Sequence, residues 1–281
     1  MSAGIETHRS MVKAWECDSF GHFTVGYYFD RIADAAATAR EALALPEGWT
    51  PVEYLARFTS ELRAGEAFHI ESGVVTVEDS ALRLGHSLVN SATGKLCSTI
   101  EERLAPKPGS PALAACDREA LSAHAVAWES GKDDPGFGDD ASGGWITSAR
   151  DRVRPAELDA SGRLGLAGYI HRSSIGCIQL LTAMGLSPDY LREFRRGFST
   201  FEVKLRLEAS GPVAGDALAV TSGLLQLGSS SVRMIHRLSD TKTGRRVASL
   251  RQSGVHFDLE ARRSTPIPAD LRAKAASLVL R

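Results

Sequence analysis

No segment of this chain approaches the roughly 18 uninterrupted apolar residues of a membrane-spanning helix. The opening MSAGIETHRSM also lacks the basic segment and apolar run of a signal peptide. A cytoplasmic protein with no membrane partner is therefore expected. An excess of one charge is missing too: Lys and Arg number 33 against 34 Asp and Glu, a net charge of −1. That balance provides no global basic field for nucleic acid, and short basic runs such as RRVASLR and FRRGF are too sparse to replace one. Any anion site must be local. Cysteine is scarce, and Cys17, Cys97, Cys116 and Cys177 show no CxxC spacing and no nearby His/Cys cluster. A disulfide framework and a zinc site are both unexpected, and reduced thiols, mostly buried, are the expected state.

Catalytic signatures are missing as well. There is no Walker glycine-lysine motif, no Gly-x-Ser-x-Gly elbow and no His-Glu-x-x-His, and the glycines at 162, 165 and 168 have the wrong spacing for a dinucleotide fingerprint. No metal and no redox cofactor is implied.

The chain does contain an internal repeat. Gly65–Ile100 aligns without a gap on Gly215–Leu250 at an offset of 150, and ten of the 36 positions are identical, where about two are expected by chance. Among them are Arg83/Arg233, His86/His236, Thr93/Thr243 and Gly94/Gly244. A segment further upstream recurs at an offset of 141, with Glu16, Asp18, Gly21, Tyr28 and Arg31 meeting Glu157, Asp159, Gly162, Tyr169 and Arg172. The second copy thus carries nine extra residues between these blocks. The usual length prior also suggests about two domains. We delimit them as residues 1–128 and 146–281, joined by 129–145, whose glycine- and aspartate-rich composition reads as a flexible linker.

Within each copy Val25, Tyr28, Phe29, Ile32, Ala36 and Leu43, or Leu166, Tyr169, Ile170, Ser173, Cys177 and Leu181, recur at helical spacing. The first of these helices stops before Pro46 and Gly48. Downstream, Leu82, Leu84, His86 and Leu88 alternate with polar or small residues as in a half-buried strand, followed by a turn at Ala92–Gly94. Each unit therefore predicts a strand, a long helix and an antiparallel meander, an α+β arrangement. Short helices are expected over 117–128 and 268–280.

Asp18 raises the functional question. Aspartate often caps a helix, yet the apolar periodicity begins near Val25, too far downstream for an ordinary cap, and the acid-x-x-glycine spacing is kept in both copies. Asp18-Ser19-Phe20-Gly21-His22, with Tyr28 six residues later on a long helix, resembles the signature of acyl-CoA thioesterases of the 4-hydroxybenzoyl-CoA thioesterase type. The resemblance covers both copies and implies two tandem hotdog domains, each a long helix wrapped by a curved antiparallel sheet. It implies further that the two units pair as hotdog homodimers do, with copy two completing the pocket of copy one. A homo-oligomer of such chains is a further expectation.

What the resemblance implies for chemistry is an acyl-CoA thioesterase acting on a small or medium acyl group, with coenzyme A only as part of the substrate. Asp18 is the nucleophile or general base, the backbone amide near Val25 polarises the thioester carbonyl, and Gly21 and His22 shape the loop. A helix N-terminus suits that electrophilic role through its free N–H groups and dipole. Asp159 is either a second catalytic acid or a relic that caps its helix, since Arg163 stands where His22 does. Arg83, Lys95, Arg233 and Arg245 are candidates for the coenzyme A phosphates. His86 and His236 read as hydrogen-bonded core residues, and Arg31 and Arg172 as solvated helix faces. A hotdog enoyl-CoA hydratase or dehydratase and a non-catalytic acyl-CoA-binding protein are the alternative functions.

Overall fold

The computed structural model describes residues 4–45, 48–110, 112–129, 136–208 and 211–281. By backbone contacts the chain divides into two units, Met1–Asp133 and Asp134–Arg281. In the first, the expected strand β1 (Ile5–Met11) leads through a short 3-10 turn to α1 (Val25–Ala42), then to β2 (Trp49–Phe58), β3 (Ala67–Val77), β4 (Leu82–Asn90), β5 (Leu96–Pro106) and the short helix α2 (Ala115–Ser122). The second unit repeats this order with β6 (Ile146–Arg152), α3 (Leu166–Ala183), β7 (Arg196–Leu207), β8 (Ala217–Leu227), β9 (Ser231–Asp240), β10 (Arg246–Asp258) and α5 (Ala269–Ala275). Its additions are α4 (Pro188–Glu193), which lies where the nine extra residues are expected, and the two-residue β11 (Arg263–Ser264) on β10.

Each unit builds one five-stranded antiparallel sheet, ordered β1-β3-β4-β5-β2 in the first and β6-β8-β9-β10-β7 in the second. The helix seats on this sheet because its apolar residues share one face: Tyr28, Phe29, Ile32, Ala35, Ala36 and Ala39 of α1 are all buried and pack across β1, β3 and β4. Matching register shifts recur in both sheets, at Val74/Thr76 and at Leu224/Gln226. Such bulges bend a strand and increase its twist, which is how a sheet curves round a helix.

The inner face of each sheet carries a polar line. Bulges leave Thr7 and Ser148 unpaired in the first strand of each unit, and each hydroxyl lies 2.7 or 2.6 Å from Ser72 or Ser222. Those serines in turn meet His86 and His236 through Nδ1 at 2.7 Å. Both rings are fully buried, as expected of core histidines. The copies differ at the far end of this line. Glu102 accepts from the Tyr54 hydroxyl (2.8 Å) and from Arg40 on the last turn of α1. Burial alone would push its carboxyl up; His86, Arg40 and Tyr54 more than offset this, and the group is held below its ordinary range. Gln252, Val203 and Leu181 occupy the matching positions in the second copy, and Gln252 bonds Thr200 at 2.7 Å.

The outer faces are partly covered by straps that repeat too. The expected helix over 117–128 stops at Ser122, and the chain then runs beside β3 through a parallel bridge between Val74 and Ala125, matched by Leu224 and Val279 at the C-terminus. Val126 lies over Gly73 and Leu280 over Gly223, where any side chain on the glycine would collide. Part of the stretch read as a flexible linker is held by contacts: Phe137 is buried, Asp139 bonds both terminal nitrogens of Arg206 (2.7 and 3.0 Å), and Arg237 lies 4.2 Å over Trp145. Residues 136–145 are thus packed on the second unit, because aromatic and acidic side chains among the glycines find cationic partners. Residues 130–135 of the expected linker lie outside the described residues, and so does the side chain of Cys116. Cys17, Cys97 and Cys177 are free thiols, and no helix among the described residues is long and apolar enough to cross a membrane.

Burial pushes the pKa of His236 down from 6.5 to about 4. Between these values the unfolded chain takes up a proton that the folded chain refuses. This contribution to stability is constant above about pH 6.5 and falls towards pH 4 by about 3 kcal/mol in all. Urea unfolding of the wild type and His236→Asn at neutral and acid pH checks it; the variant is expected to lose less stability on acidification.

Candidate active site

Asp18 sits in a tight hairpin between the 3-10 turn Ala14–Glu16 and α1. Cys17 bridges Phe23, the Asp18 amide donates to the His22 carbonyl (2.8 Å), and the Thr24 amide donates to the Glu16 carbonyl (3.0 Å). The Gly21 amide returns to the Asp18 carbonyl at 3.0 Å, and Gly21 takes φ of +79°, where a β-carbon is strained. One carboxylate oxygen of Asp18, Oδ1, accepts from the amides of Phe20 (2.8 Å) and His22 (3.0 Å). The other, Oδ2, makes no hydrogen bond within the described residues and lies 3.9 Å from His22 Nδ1. Asp18 is therefore not the cap of α1. It is held by its own turn with one oxygen left over.

The hairpin delivers this acid beside the start of α1. Thr24 occupies the N-cap position with no side-chain bond to the helix, and its carbonyl takes the amides of Tyr27 and Tyr28. The amides of Val25 and Gly26 have no acceptor among the described residues and remain open donors at the positive end of an 18-residue helix. Asp18, Gly21, His22 and Val25 are thus brought into one local structure, as the motif spacing predicts. Tyr28 lies beneath, with Phe23 at 4.5 Å and Phe58 edge-on at 5.1 Å, and burial pushes its hydroxyl pKa well up, which keeps it neutral.

Two groups that hold the hairpin were read differently from sequence. Arg31 and Arg172 are not solvated: the Arg172 side chain is 2% exposed and the Arg31 side chain 13%. Arg31 pairs with the buried Glu16, whose second oxygen accepts the Lys13 amide at 2.9 Å. Arg172 bonds both oxygens of Glu157 at 2.9 and 3.1 Å and also Asp151 at 2.8 Å. Each pair ties the turn before the helix to the helix itself. The available signal was the recurrence of both partners at the 141 offset, one helical turn after the repeated tyrosine for the arginine and two residues before the acid for the glutamate.

His22 has partners that no motif indicated. Its Nε2 lies 3.0 Å from Arg63 Nη2 and 3.3 Å from Glu61 Oε2, both in the segment that leads to β3. That segment is bound to the hairpin through the Phe23 amide on the Leu62 carbonyl (2.8 Å) and a bridge between His22 and Arg63.

In the second unit the hairpin backbone is reproduced. The Asp159 amide meets the Arg163 carbonyl (2.7 Å), the Gly162 amide meets the Asp159 carbonyl (3.0 Å), and Gly162 has φ of +73°. Asp159 Oδ1 is more fully used, accepting from the Ser161 amide and hydroxyl and from the Arg163 amide. The Arg163 guanidinium turns to the Gly211 carbonyl at 2.8 Å.

Within each unit the two basic residues proposed for coenzyme A phosphates lie at opposite ends of a hairpin. Arg83 lies near the start of β4, paired with Glu101 at 2.6 Å, whereas Lys95 faces Asn90 at its far end. Seven strand residues separate them, roughly 23 Å. Arg233 bonds Gln226 at 2.8 Å, and Arg245 lies at the opposite end of its own hairpin. Sequence alternation placed each pair on one hairpin but carried no information on which end of it each residue occupies. Among the described residues no group of His, Cys, Asp and Glu is arranged to hold a metal.

With this geometry in view, residues 12–106 and 153–275 match the model of the thioesterase-like superfamily. The chain belongs to that superfamily. A curated relative, the L-carnitine dehydrogenase/betainyl-CoA thioesterase of Rhizobium meliloti (strain 1021), is 26% identical over 195 residues, 69% of this chain and 34% of the relative. The chain thus spans about a third of that protein's length. Similar solved structures include an acyl-ACP thioesterase from Bacteroides thetaiotaomicron VPI-5482 (TM-score 0.66, 12% identity, 89% of this chain and 96% of that one). The 12:0-ACP thioesterase of Umbellularia californica is similar at TM-score 0.63, with 10% identity and 89% and 93% coverage. With two five-stranded sheets that each carry a long helix, these likenesses bear out the expected α+β architecture of two tandem hotdog domains.

Removing the buried carboxylate that anchors the hairpin leaves Asp30 as the remaining carboxylate partner of Arg31 among the described residues. Glu16→Ala is expected to lower stability by about 3 kcal/mol, since one partner of a buried pair is then uncompensated. Denaturant unfolding measures this directly, and a change within about 0.5 kcal/mol, as for an ordinary surface substitution, overturns the anchoring role.

Proposed function

We propose that the protein hydrolyses an acyl-CoA thioester to the free acid and coenzyme A, with the working site on the first unit. One observation carries the reading: a turn that saturates Asp18 Oδ1, leaves Oδ2 unbonded, and stands at a helix start whose Val25 and Gly26 amides are open. The thioester carbonyl oxygen is received by these amides, which stabilise the negative charge that develops on it. Asp18 Oδ2 then either adds to the carbonyl carbon, giving a mixed anhydride that water opens, or removes a proton from a water that adds instead. In both routes the C–S bond breaks, the thiolate departs with the electron pair and takes up a proton. Gly21 makes the turn affordable by accepting a positive φ.

Asp159 is read here as a turn-holding residue. Its loop has the same backbone and its Oδ2 likewise makes no hydrogen bond within the described residues, but its Oδ1 is engaged by three donors where that of Asp18 has two, and the neighbouring histidine is absent. The acyl group is small, in keeping with the betainyl-CoA thioesterase relative, and the reaction takes place in the cytoplasm, where free thiols such as Cys17 stay reduced.

Thiol release from a panel of acyl-CoA esters tests this, with betainyl, acetyl, medium-chain and aromatic acyl groups represented. Asp18→Asn is expected to reduce kcat/KM by about 100-fold or more, within the range of acid-base catalysis, and Asp159→Asn to change it less than about threefold. Equal activity of wild type and Asp18→Asn on every accepted ester overturns the assignment. Binding without release across the panel indicates an acyl-CoA-binding protein, and an absorbance change on enoyl-CoA without thiol release a hydratase. Incorporation of labelled oxygen from water into the Asp18 carboxylate during turnover, from water opening a mixed anhydride at the Asp18 carboxyl carbon, identifies Asp18 as the nucleophile.

A further inference from the structure

The surroundings of His22 contain two partners whose demands on one nitrogen conflict. Arg63 Nη2, 3.0 Å from His22 Nε2, can only donate, so that bond requires a lone pair on Nε2. Glu61 Oε2, 3.3 Å from the same nitrogen, can only accept as a carboxylate, so its bond requires a hydrogen there. The two bonds therefore belong to different protonation states of the ring. When the ring is neutral, Arg63 claims the lone pair of Nε2 and the single ring hydrogen sits on Nδ1. When the ring is protonated, Glu61 takes the Nε2 hydrogen, and Arg63 swings to Glu61, from which it is already only 3.8 Å away. In both states Nδ1 carries a hydrogen, and Nδ1 is the nitrogen that faces Asp18 Oδ2 at 3.9 Å.

We propose that Arg63 is a positioning residue that keeps the proton of the neutral His22 ring on Nδ1, while Glu61 receives the Nε2 hydrogen only when the ring is charged, so that the ring always offers a donor to the free oxygen of Asp18. The tautomer that Arg63 excludes would turn an imidazole lone pair on that carboxylate and disfavour its charged form. Because it gives Asp18 its working environment, this role rests on the functional reading above. The charged groups facing the ring are Asp18 on its own loop and Glu61 and Arg63 on the segment before β3, where Glu66 holds the Arg63 amide at 2.7 Å. Tyr28, on the helix beneath, is neutral.

The second copy supplies an internal control. The same backbone bonds recur there: the Leu164 amide on the Pro212 carbonyl matches Phe23 on Leu62, and the Val213 amide on the Asp216 carboxylate matches Arg63 on Glu66. Yet His22, Glu61 and Arg63 are replaced together by Arg163, Gly211 and Val213. The turn therefore forms without the three side chains, and they change as a set. A purely architectural role for them is not needed by the fold.

The test uses the full chain with nitrogen-15 histidine, read by two-dimensional NMR, alongside the pH dependence of thiol release. In the wild type the neutral His22 ring is expected in the Nδ1–H form. Arg63→Met releases the lone pair of Nε2, lets Glu61 hold an Nε2–H, and is expected to invert the tautomer and move the acid limb of kcat/KM upward by about one pH unit. Arg63→Lys keeps a donor and is expected to restore both. Glu61→Gln is expected to leave the neutral tautomer unchanged. An unchanged tautomer and an unmoved acid limb in Arg63→Met overturn the inference. Undiminished activity of Asp18→Asn overturns the functional reading instead, and the tautomer measurement still decides this one.

Discussion

The carboxylate–guanidinium pair before each long helix, with one partner buried in each copy, is the constraint on which the rest of the site depends. Glu16 with Arg31, and Glu157 with Arg172, connect a turn to the helix that follows it, over 15 residues of sequence. An ion pair removed from water cannot let one partner drift, because a lone buried charge costs several kcal/mol. The backbone between the partners must therefore close into a tight hairpin. That hairpin brings an aspartate to the start of the helix without making it the helix cap, and so leaves both a carboxylate oxygen and two amides unspent.

The duplication shows what this device requires and what is optional. Both copies keep the glutamate, the aspartate, the left-handed glycine and the arginine, and both retain the same backbone hydrogen bonds. Around that shared frame the chemistry differs. The first copy surrounds the ring next to its acid with a carboxylate and a guanidinium, and the second replaces the ring with an arginine that satisfies a carbonyl. In the cores, likewise, the first copy ends its Thr-Ser-His line in Glu102 with Arg40 and Tyr54, whereas the second ends in neutral Gln252. One frame thus carries an electrostatically elaborate copy and a plainer one.

The bulges at Thr7 and Ser148 show how local irregularity serves the core. An extra residue in an edge strand turns a hydroxyl inward, where it meets a serine and then a buried histidine. No binary pattern of apolar and polar residues indicates such a bulge, since it appears as one polar residue among alternating ones. The straps of Val126 and Leu280 over glycines are similar: a missing side chain on one strand is meaningful only beside the segment that fills its place.

Periodicity and repetition determined much of this protein from the sequence alone. The 3.6-residue spacing that begins near Val25 located the start of α1, alternation located β4 and β9, and the change of offset from 141 to 150 located the insertion that contains α4. The motif from Asp18 to His22 was legible because its residues lie within one turn and its acid and glycine are repeated. What only the tertiary structure decided involves partners distant in sequence or direction. Arg31 and Arg172 fall on nominally polar helix positions, and only the fold of the preceding turn buries them. Glu61 and Arg63 reach His22 from about 40 residues away, and no local spacing records that approach. Arg83 and Lys95 share a hairpin, but strand length carries them to opposite ends of it. Short-range chemistry is written in spacing, whereas long-range chemistry depends on which strands meet, and that is settled by packing a whole sheet on a helix.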